Sequence, residues 1–287
     1  MGSEITKGIE IVDLGLYLSS EKILVLADLH IGIEDSMVKQ GMMVLKFHFR
    51  DLVKRVEGIF ESLAKKKKEV KIVVINGDLK HEFGRISDEE WRNTLKMLDF
   101  LGRKCERIVL VRGNHDTILG PIADKRKVLF VDVFVDGDKM ICHGDKIPEM
   151  IGGSAAAPEA RLLKKTKKGL LPRMGQPPQH PQHADRKDSK TRGAAAIKTV
   201  IIGHEHPAVS IYEDLRKETF KAFLYGSWNR KKLIVQPSLN PLMEGTDVKE
   251  GKLLSPFLKG KKLDNFEVWL VADKVYPFGK LKKLYKY

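Results

Sequence analysis

Continuous apolar runs alternate with amphipathic segments through the first part of the chain. The run from Ile23 to Ala27, built from Ile, Leu, Val and Ala, predicts a strand buried on both faces. Apolar residues between Phe49 and Leu63 recur at helical spacing and predict a helix. Two more apolar runs, at 71–76 and 107–112, predict strands, and a capping box at Ser87 opens a helix between them. This alternation is typical of a layered α/β sheet with ligand sites at the carboxyl ends of its strands.

The rest of the chain follows other patterns. Residues 8–27 alternate and predict an antiparallel strand or hairpin before the central strand, whereas 31–46 show no clear period and are interpreted as a loop. Beyond residue 116 short strands predominate, which suggests a second, largely antiparallel sheet. Its predicted strands are a hairpin at 133–135 and 139–142 around Asp136-Gly137, followed by 197–202, 209–212, 220–225, 233–235 and 266–271.

One stretch interrupts this order. Residues 151–196 contain Gly, Ala, Lys, Pro and Gln in proportions that leave little apolar material to bury, so we expect an inserted, mobile segment. His180 and His183 lie in its Pro/Gln run and are interpreted as solvated loop residues rather than ligands. The prediction is therefore a single domain over 1–287 with one basic insertion.

Charge is unevenly distributed along the 287 residues. The net charge is +14, and the segments 158–193 and 249–287 together account for 13 of these excess positive charges. Such segments are expected of arms that bind nucleic acid. A Lys-rich surface of the thermophile kind gives the same composition, and the sequence leaves both interpretations open.

Composition also excludes several classes of protein. No apolar run approaches the ~20 residues that span a bilayer, and no signal peptide is recognisable, so a cytoplasmic protein without membrane partners is expected. The two cysteines, Cys105 and Cys142, are too few for a disulfide framework or a cysteine-built zinc site. Nothing in the sequence indicates an oligomeric state.

Five predicted strands end in residues that bind divalent cations. The side chains are oxygen and nitrogen ligands suited to first-row metals, with no thiolate among them. They are Asp28 and His30, Asp78, Asn114 and His115, His143, and His204 and His206. If the extended backbone persists through Asp28 and His30, both side chains point to the same side. The preceding Gly77, Gly113 and Gly203 let the backbone turn sharply and other groups come close. Joint occurrence at successive strand ends predicts a metal site.

These motifs, in this order, resemble those of the calcineurin-like metallophosphoesterase superfamily over most of residues 20–210. Residues 77–84, 237–242 and 255–258 are more narrowly similar to archaeal phosphoesterases related to the SbcD-type DNA repair nucleases. The resemblance implies a four-layer αββα sandwich with a mixed central pair of sheets. It also implies two divalent metal ions, for which manganese is favoured over iron, zinc, nickel or magnesium.

The resemblance also implies roles for individual residues. One metal would be held by Asp28, His30, Asp78 and His206, and the other by Asp78, Asn114, His143 and His204, with Asp78 bridging. Together the two ions would hold a phosphate and lower the pKa of a bridging water, giving hydroxide for in-line attack.

Further candidates lie beside the ligands. His115 would stabilise the transition state or protonate the leaving oxygen, with Asp116 orienting it. His81 is a candidate to contact the scissile phosphate or to support a metal ligand. Asn114, His115 and Asn240 are candidate substrate-binding residues.

The second motif departs from the pattern of phosphoprotein phosphatases, because it continues as Leu79-Lys80-His81 and not through Asp-Arg-Gly. The third motif ends in Asp116 and not in Glu. The leading hypothesis is a phosphodiesterase acting on nucleic acid or nucleotides. The alternatives are a small-molecule phosphoesterase for cyclic nucleotides, nucleotide sugars or lipid-linked pyrophosphates, and a non-catalytic scaffold.

Overall fold

Two mixed β-sheets form the architecture of the computed structural model. It describes residues 3–44, 47–84, 86–151, 196–213 and 216–286. The predictions for the insertion, including His180, His183 and the basic segment 158–193, lie outside the described residues.

The first sheet contains seven strands in chain order, β1 to β7. Neighbours from β1 to β4 are antiparallel, and those from β4 to β7 are parallel. The predicted hairpin before the central strand is thereby confirmed. The strands are β1 Ser3–Thr6, β2 Ile9–Val12, β3 Gly15–Leu18, β4 Ile23–Ala27, β5 Ile72–Asn76, β6 Arg107–Val111 and β7 Leu129–Val131. All five residues of β4 are buried, as the apolar run predicts.

Four α-helices accompany the first sheet in the described chain: α1 Ile33–Lys39, α2 His48–Lys65, α3 Asp88–Gly102 and α4 Gly120–Arg126. Helices α2 and α3 confirm the predicted helices, and Ser87 caps α3 by accepting a hydrogen bond from the backbone N–H of Glu90. The loop predicted over 31–46 is wrong in part, since α1 occupies its first half. Seven residues are too few to show a helical period. None of the described helices is long and apolar enough to cross a membrane.

The second sheet is mostly antiparallel, as predicted, but β9, β10 and β13 are parallel to one another and β14 is parallel to β11. Its main path runs β14-β11-β12-β13-β10-β9-β8, and β15 pairs with β12 and β16. The strands are β8 Val133–Asp136, β9 Lys139–Cys142, β10 Thr199–Ile202, β11 Pro207–Glu213, β12 Arg216–Trp228, β13 Lys231–Val235, β14 Thr246–Asp247, β15 Glu267–Val271 and β16 Val275–Lys280.

Alternation along the second sheet divides its side chains between two cores. Ile141, Ile201 and Ile234 belong to the cluster shared with the first sheet. The residues beside them in sequence belong to a separate outer cluster with Phe257 and Leu284. The two-sheet α/β sandwich is confirmed. In the described chain, however, the outer face of the second sheet is covered by the C-terminal segment, which includes the short 3-10 helix Leu281–Lys286, and not by α-helices.

Candidate metal centre

Five parallel strand ends bring the predicted ligands together. Strands β4, β5 and β6 are paired in register to their last residues, as Ala27 faces Asn76 and Asn76 faces Val111. Strands β9 and β10 of the second sheet are likewise parallel neighbours. Because parallel strands end at the same edge of a sheet, the residues that follow them meet at one end of the sandwich.

The first group of ligands comprises Asp28, His30 and His206, whose ligand atoms all lie within 4.8 Å of one another. His30 Nε2 is 3.4 Å from His206 Nε2, and His206 Nε2 is 3.4 Å from Asp28 Oδ1. All three side chains are buried. This group is the set that the resemblance assigns to one metal, apart from the bridging Asp78.

The second group comprises Asp78, His143 and His204, also within 4.8 Å of one another. His143 Nε2 lies 3.3 Å from Asp78 Oδ2, 3.2 Å from His204 Nδ1 and 2.8 Å from Asn114 Oδ1. Asp78 Oδ2 is also 3.8 Å from His30 Nε2 of the first group. Asp78 therefore stands between the two groups, in the position expected of a bridging ligand.

The donor set fits a pair of divalent cations. Asp28 Oδ1 and His143 Nδ1 are buried without a hydrogen-bond partner, although buried polar atoms are normally satisfied. Burial lowers the pKa of His143, but its hydrogen bond to Asp78 and the nearby carboxylates outweigh burial and raise the pKa to about 9. Burial raises the pKa of Asp78, and the surrounding histidines more than reverse this and hold it below its usual range. The carboxylates thus draw positive charge into the centre, and two divalent ions would supply it.

The three glycines allow ligands from neighbouring strand ends to touch. A Cβ atom on Gly77 would lie 2.0 Å from His143 Nδ1, and one on Gly113 would lie 2.1 Å from Asp78 Oδ1. A Cβ atom on Gly203 would lie 2.5 Å from Asp28 Oδ2. The predicted close approach is confirmed, and the groups that come close are the ligands themselves.

The backbone at the ligands is not extended, so the prediction for Asp28 and His30 is wrong in its mechanism. Both residues have a positive φ, 54° and 44°, and so do Asp78 at 44°, His204 at 63° and His206 at 47°. Non-glycine residues rarely adopt this left-handed region, and each such residue costs of the order of 1–3 kcal/mol. The strand ends at Ala27, and two left-handed turns bring the Asp28 and His30 side chains together.

The segment 236–242, which follows β13, holds the end of β4 from the second sheet. Gln236 donates from Nε2 to the carbonyl oxygens of Leu14 and Val25, both at 3.0 Å. The backbone N–H of Leu239 donates to the carbonyl of Ala27 at 2.9 Å. The two sheets are thus tied together directly beneath the first ligand.

The same segment binds the strained turn itself. Ser238 Oγ donates to the carbonyl of Asp28 at 2.7 Å, and Asn240 Nδ2 donates to the carbonyls of Leu29 at 2.7 Å and His30 at 3.2 Å. Asn240 is buried, and its side-chain oxygen accepts from the next turn of its own segment. These bonds support a structural role, and the prediction that Asn240 binds substrate stays untested. Its amide is committed to the backbone that presents Asp28 and His30.

Asp116 has a similar structural task. It is buried, and its carboxylate accepts from the backbone N–H groups of Gly113 at 3.1 Å and Leu79 at 3.1 Å, with Lys80 at 3.4 Å. Burial raises the pKa of Asp116 to about 7. Both carboxylate oxygens bind backbone, and no hydrogen bond joins Asp116 to the His115 ring in the described chain, so the predicted orienting role stays a prediction. Asp116 joins the turn after β5 to the turn after β6.

His115 lies at the open side of the centre. Its backbone N–H donates to Asp78 Oδ1 at 2.9 Å, and its Nε2 is 3.8 Å from Asp78 Oδ2. Its Nδ1 is hydrogen-bonded to the carbonyl of His81 and therefore carries a hydrogen. That leaves Nε2, on the side of Asp78, as the ring nitrogen of His115 that does not bind this carbonyl.

His81 lies behind His30. Its Nδ1 is 3.3 Å from His30 Nδ1, on the side of the His30 ring away from His206. Burial and then the charge of His115 lower the pKa of His81 to about 4, so its imidazole is neutral at pH 7 and can accept this hydrogen bond. Of the two predicted roles for His81, the geometry favours support of a metal ligand.

Two buried acids were missed from the sequence. Glu90 Oε1 accepts from the backbone N–H groups of His81 at 2.7 Å and Glu82 at 3.0 Å. Glu205 Oε2 accepts from two backbone N–H groups, including that of Ser255 at 2.8 Å. Glu205 stands between the ligands His204 and His206, which was the available signal. Glu90 was interpreted only as part of a helix cap.

The chain is similar to known proteins in its fold and in the sequence pattern of one family. No curated protein matches the chain. Among solved structures, the nuclease MPE of Pseudomonas putida is similar in fold, with 15% sequence identity, a TM-score of 0.54, and coverage of 97% of this chain and 99% of that one. The calcineurin-like phosphoesterase family matches residues 21–208, a range that includes every predicted ligand from Asp28 to His206. The chain belongs to the calcineurin-like phosphoesterase family.

Proposed function

We propose that the protein is a two-metal phosphodiesterase that acts on nucleic acid or nucleotides. The family supports metal-dependent hydrolysis of phosphoric esters. The observation that carries the proposal is the pair of ligand groups, in which Asp78 of the second lies 3.8 Å from His30 of the first. A scaffold without catalysis would not need to keep both groups complete.

Different residues of the chain have different roles in the proposed reaction. Two bound ions would supply positive charge against the phosphate and acidify the attacking water. His115 presents Nε2 to the cleft and protonates the leaving oxygen, while its Nδ1 is fixed by the carbonyl of His81. Asp116 and Asn240 hold the turns on which the ligands lie.

Manganese is our proposed metal, with iron, zinc, nickel and magnesium as alternatives. Both ligand groups combine carboxylate oxygen with imidazole nitrogen. This mixture suits first-row divalent metals, whereas magnesium is usually bound by oxygen ligands and water.

Two observations support a nucleic acid as substrate. One solved structure that is similar in fold is titled a nuclease. In the second sheet, a cleft of about 610 Å³ is lined by Arg230, Lys231, Lys261 and Lys262, and Glu267 is the single carboxylate in its lining. The two latter lysines belong to the basic segment 249–287, and we propose that this segment binds phosphate groups through the cleft.

A substrate panel tests the proposed function. Bis(p-nitrophenyl) phosphate, p-nitrophenyl phosphate, cyclic nucleotides, single-stranded DNA, duplex DNA and RNA are each incubated with Mn²⁺, Mg²⁺, Zn²⁺ or Ni²⁺. We expect metal-dependent cleavage of the diesters and of at least one nucleic acid. Hydrolysis confined to monoesters, or to cyclic nucleotides alone, would replace the nuclease proposal with a small-molecule phosphoesterase.

A further inference from the structure

We propose that the ring of Phe83 is a stacking platform for a base of the nucleotide whose phosphate enters the metal centre. The inference rests on the proposed function and adds a binding subsite to it. It assigns to Phe83 the recognition of the nucleobase, separate from the groups that hold the phosphate.

Phe83 is unusually exposed for a phenylalanine, at 61%. Its ring centroid is nevertheless only 3.6 Å from that of His115, with the ring planes 35° apart. The His115 ring stacks in turn on His81, at 5.5 Å and 28°. Phe83 therefore ends a row of three rings, with one face toward His115 and much of the ring open to solvent.

The position of the row matches the dimensions of a nucleotide. His115 Nε2 is 3.8 Å from Asp78 Oδ2, an atom of the second ligand group that is also 3.8 Å from His30 Nε2 of the first. The His115 ring thus contacts both Phe83 and the carboxylate of the second ligand group, where the proposed function places the phosphate. A single nucleotide spans such a separation between its phosphate and its base. Aromatic side chains that stack on bases do so without sequence preference, because every base offers a π-face.

The loop that carries Phe83 is held in place. Glu90 accepts hydrogen bonds from the backbone of His81 and Glu82, and Lys39 Nζ is 2.8 Å from Glu82 Oε1. Lys80 Nζ donates to the carbonyl of Glu82. These contacts fix the residue just before Phe83, and the Phe83 ring itself rests on His115. Pre-organised rings lose little freedom when a base stacks on them.

A purely structural role makes a different prediction. If Phe83 only keeps the His115 ring in position, its loss impairs every substrate that His115 serves, with or without a base. If Phe83 stacks on a base, its loss impairs substrates with bases selectively.

The experiment compares thymidylyl-thymidine with the same dinucleotide carrying tetrahydrofuran abasic sugars in place of both thymidines. Both have one phosphodiester of equal charge, and cleavage is followed by chromatography. For Phe83→Ala we expect kcat/KM to fall about 10-fold or more on the thymidine substrate and to change less than about 2-fold on the abasic one. Phe83→Trp should keep the preference for bases. Phe278→Ala is the matched control, since Phe278 is an exposed phenylalanine on β16.

An equal fall on both substrates, or no change on either, would overturn the platform. If the wild-type protein cleaves neither dinucleotide nor any member of the substrate panel with any metal, the proposed function fails separately. The same variants are then compared for equilibrium binding of thymidine 5′-monophosphate against abasic deoxyribose 5-phosphate. Selective loss of thymidine 5′-monophosphate affinity in Phe83→Ala supports the platform, and unchanged affinity overturns it.

Discussion

Individual side chains at the metal centre either face the cleft or hold the backbone beneath it. His115 belongs to neither the group of Asp28 nor the group of Asp78, but its ring nitrogen lies within 4.8 Å of ligand atoms of His30 and His81, with which it forms a third cluster. Its backbone is fixed to Asp78 and its Nδ1 to His81. It can therefore act on the substrate without serving as a ligand of these groups.

We predict that His115→Ala leaves the metal content nearly unchanged and lowers turnover by ~10²-fold or more, the usual effect of removing a general acid or charge stabiliser. Elemental analysis and steady-state kinetics on the same preparation provide the measurement. Loss of metal from the variant would show that His115 is a ligand, contrary to this role.

Lys221 has a different role at the same scale. Its Nζ donates to the carbonyl oxygens of Ser238, at 2.8 Å, and of Asn240, so it supports the segment beneath the ligands. Burial, followed by the charge of Arg55, lowers the pKa of Lys221 to about 7. An unfolded lysine keeps its proton up to about pH 10.4. Between these values the unfolded chain binds more protons, so the folded state gains stability as pH rises.

We predict that, between pH 7 and 9.5, the free energy of unfolding rises with pH more steeply in the wild type than in Lys221→Met. The difference in slope is up to about 1.4 kcal/mol per pH unit. The constant cost of leaving two carbonyls unpaired shifts the whole curve of the variant but not its slope. Urea unfolding across this range is the measurement, with Lys217→Met, an exposed lysine on the same strand, as control. Parallel curves for wild type and Lys221→Met would contradict the lowered pKa.

The metal ligands could be predicted from the types of residue in the sequence, but the side chains that support them could not. Asp28, His30, Asp78 and the later histidines were predicted because ligand types recur at strand ends. The sequence does not show which way a side chain points, so Asp116 and Asn240 were given contacts with catalytic groups or substrate. In the structure both bind backbone N–H or carbonyl groups.

At the scale of elements, segment 236–242 determines the geometry of the first ligand group. It leaves β13 of the second sheet and binds the last turns of β4 in the first. The left-handed turns at Asp28 and His30 are stabilised by these bonds, which offset their conformational cost. His206 reaches the same group from a separate turn after β10.

We therefore predict that Asn240→Ala weakens the site of Asp28, His30 and His206 more than that of Asp78, His143 and His204. Titration with Mn²⁺ should show one affinity lowered by ~10-fold or more, the scale for lost partners of metal ligands, and the other little changed. Pro241→Ala, a change at an exposed neighbour in the same segment, is the control. Equal weakening of both sites, or of neither, would contradict a local role.

Elements of regular pattern were predictable from the chain, and irregular ones were not. The two long helices and the buried strands follow from hydrophobic period. Helix α1 is too short to show such a period. Segment 236–242 is irregular backbone, and its contacts with β4 and the turn after it span more than 200 positions of sequence. Contacts between residues so far apart in sequence leave no pattern in the local sequence from which they could be predicted.

At the scale of the molecule, the basic cleft and the metal centre lie at opposite ends of β13. Lys231 begins this strand at the cleft, and Val235 ends it beside segment 236–242. Within the described chain, Arg230, Lys231, Lys261 and Lys262 take part in none of the ion pairs, and their charges are available to phosphate groups. The role of segment 158–193 lies outside the described residues and stays a prediction.

We predict that Lys231→Glu combined with Lys261→Glu lowers the affinity for a 20-nucleotide duplex and flattens its salt dependence by about 0.9 per lost phosphate contact. Hydrolysis of bis(p-nitrophenyl) phosphate should be unchanged, because the ligands lie elsewhere. Lys65→Glu combined with Lys125→Glu, at two exposed lysines outside the cleft, provides the same charge change as a control. Equal losses in the two double variants would show that only net charge matters.

The most direct test of the two-metal centre measures metal content and diester hydrolysis together, in the wild type and in Asp78→Asn after loading with Mn²⁺. Asp78 stands between both ligand groups, so its replacement affects both ions at once. The two-metal mechanism predicts about two ions per wild-type chain, fewer in the variant, and a loss of turnover larger than for any other single ligand change. Undiminished turnover in Asp78→Asn, or in the wild type stripped by chelator, would contradict it.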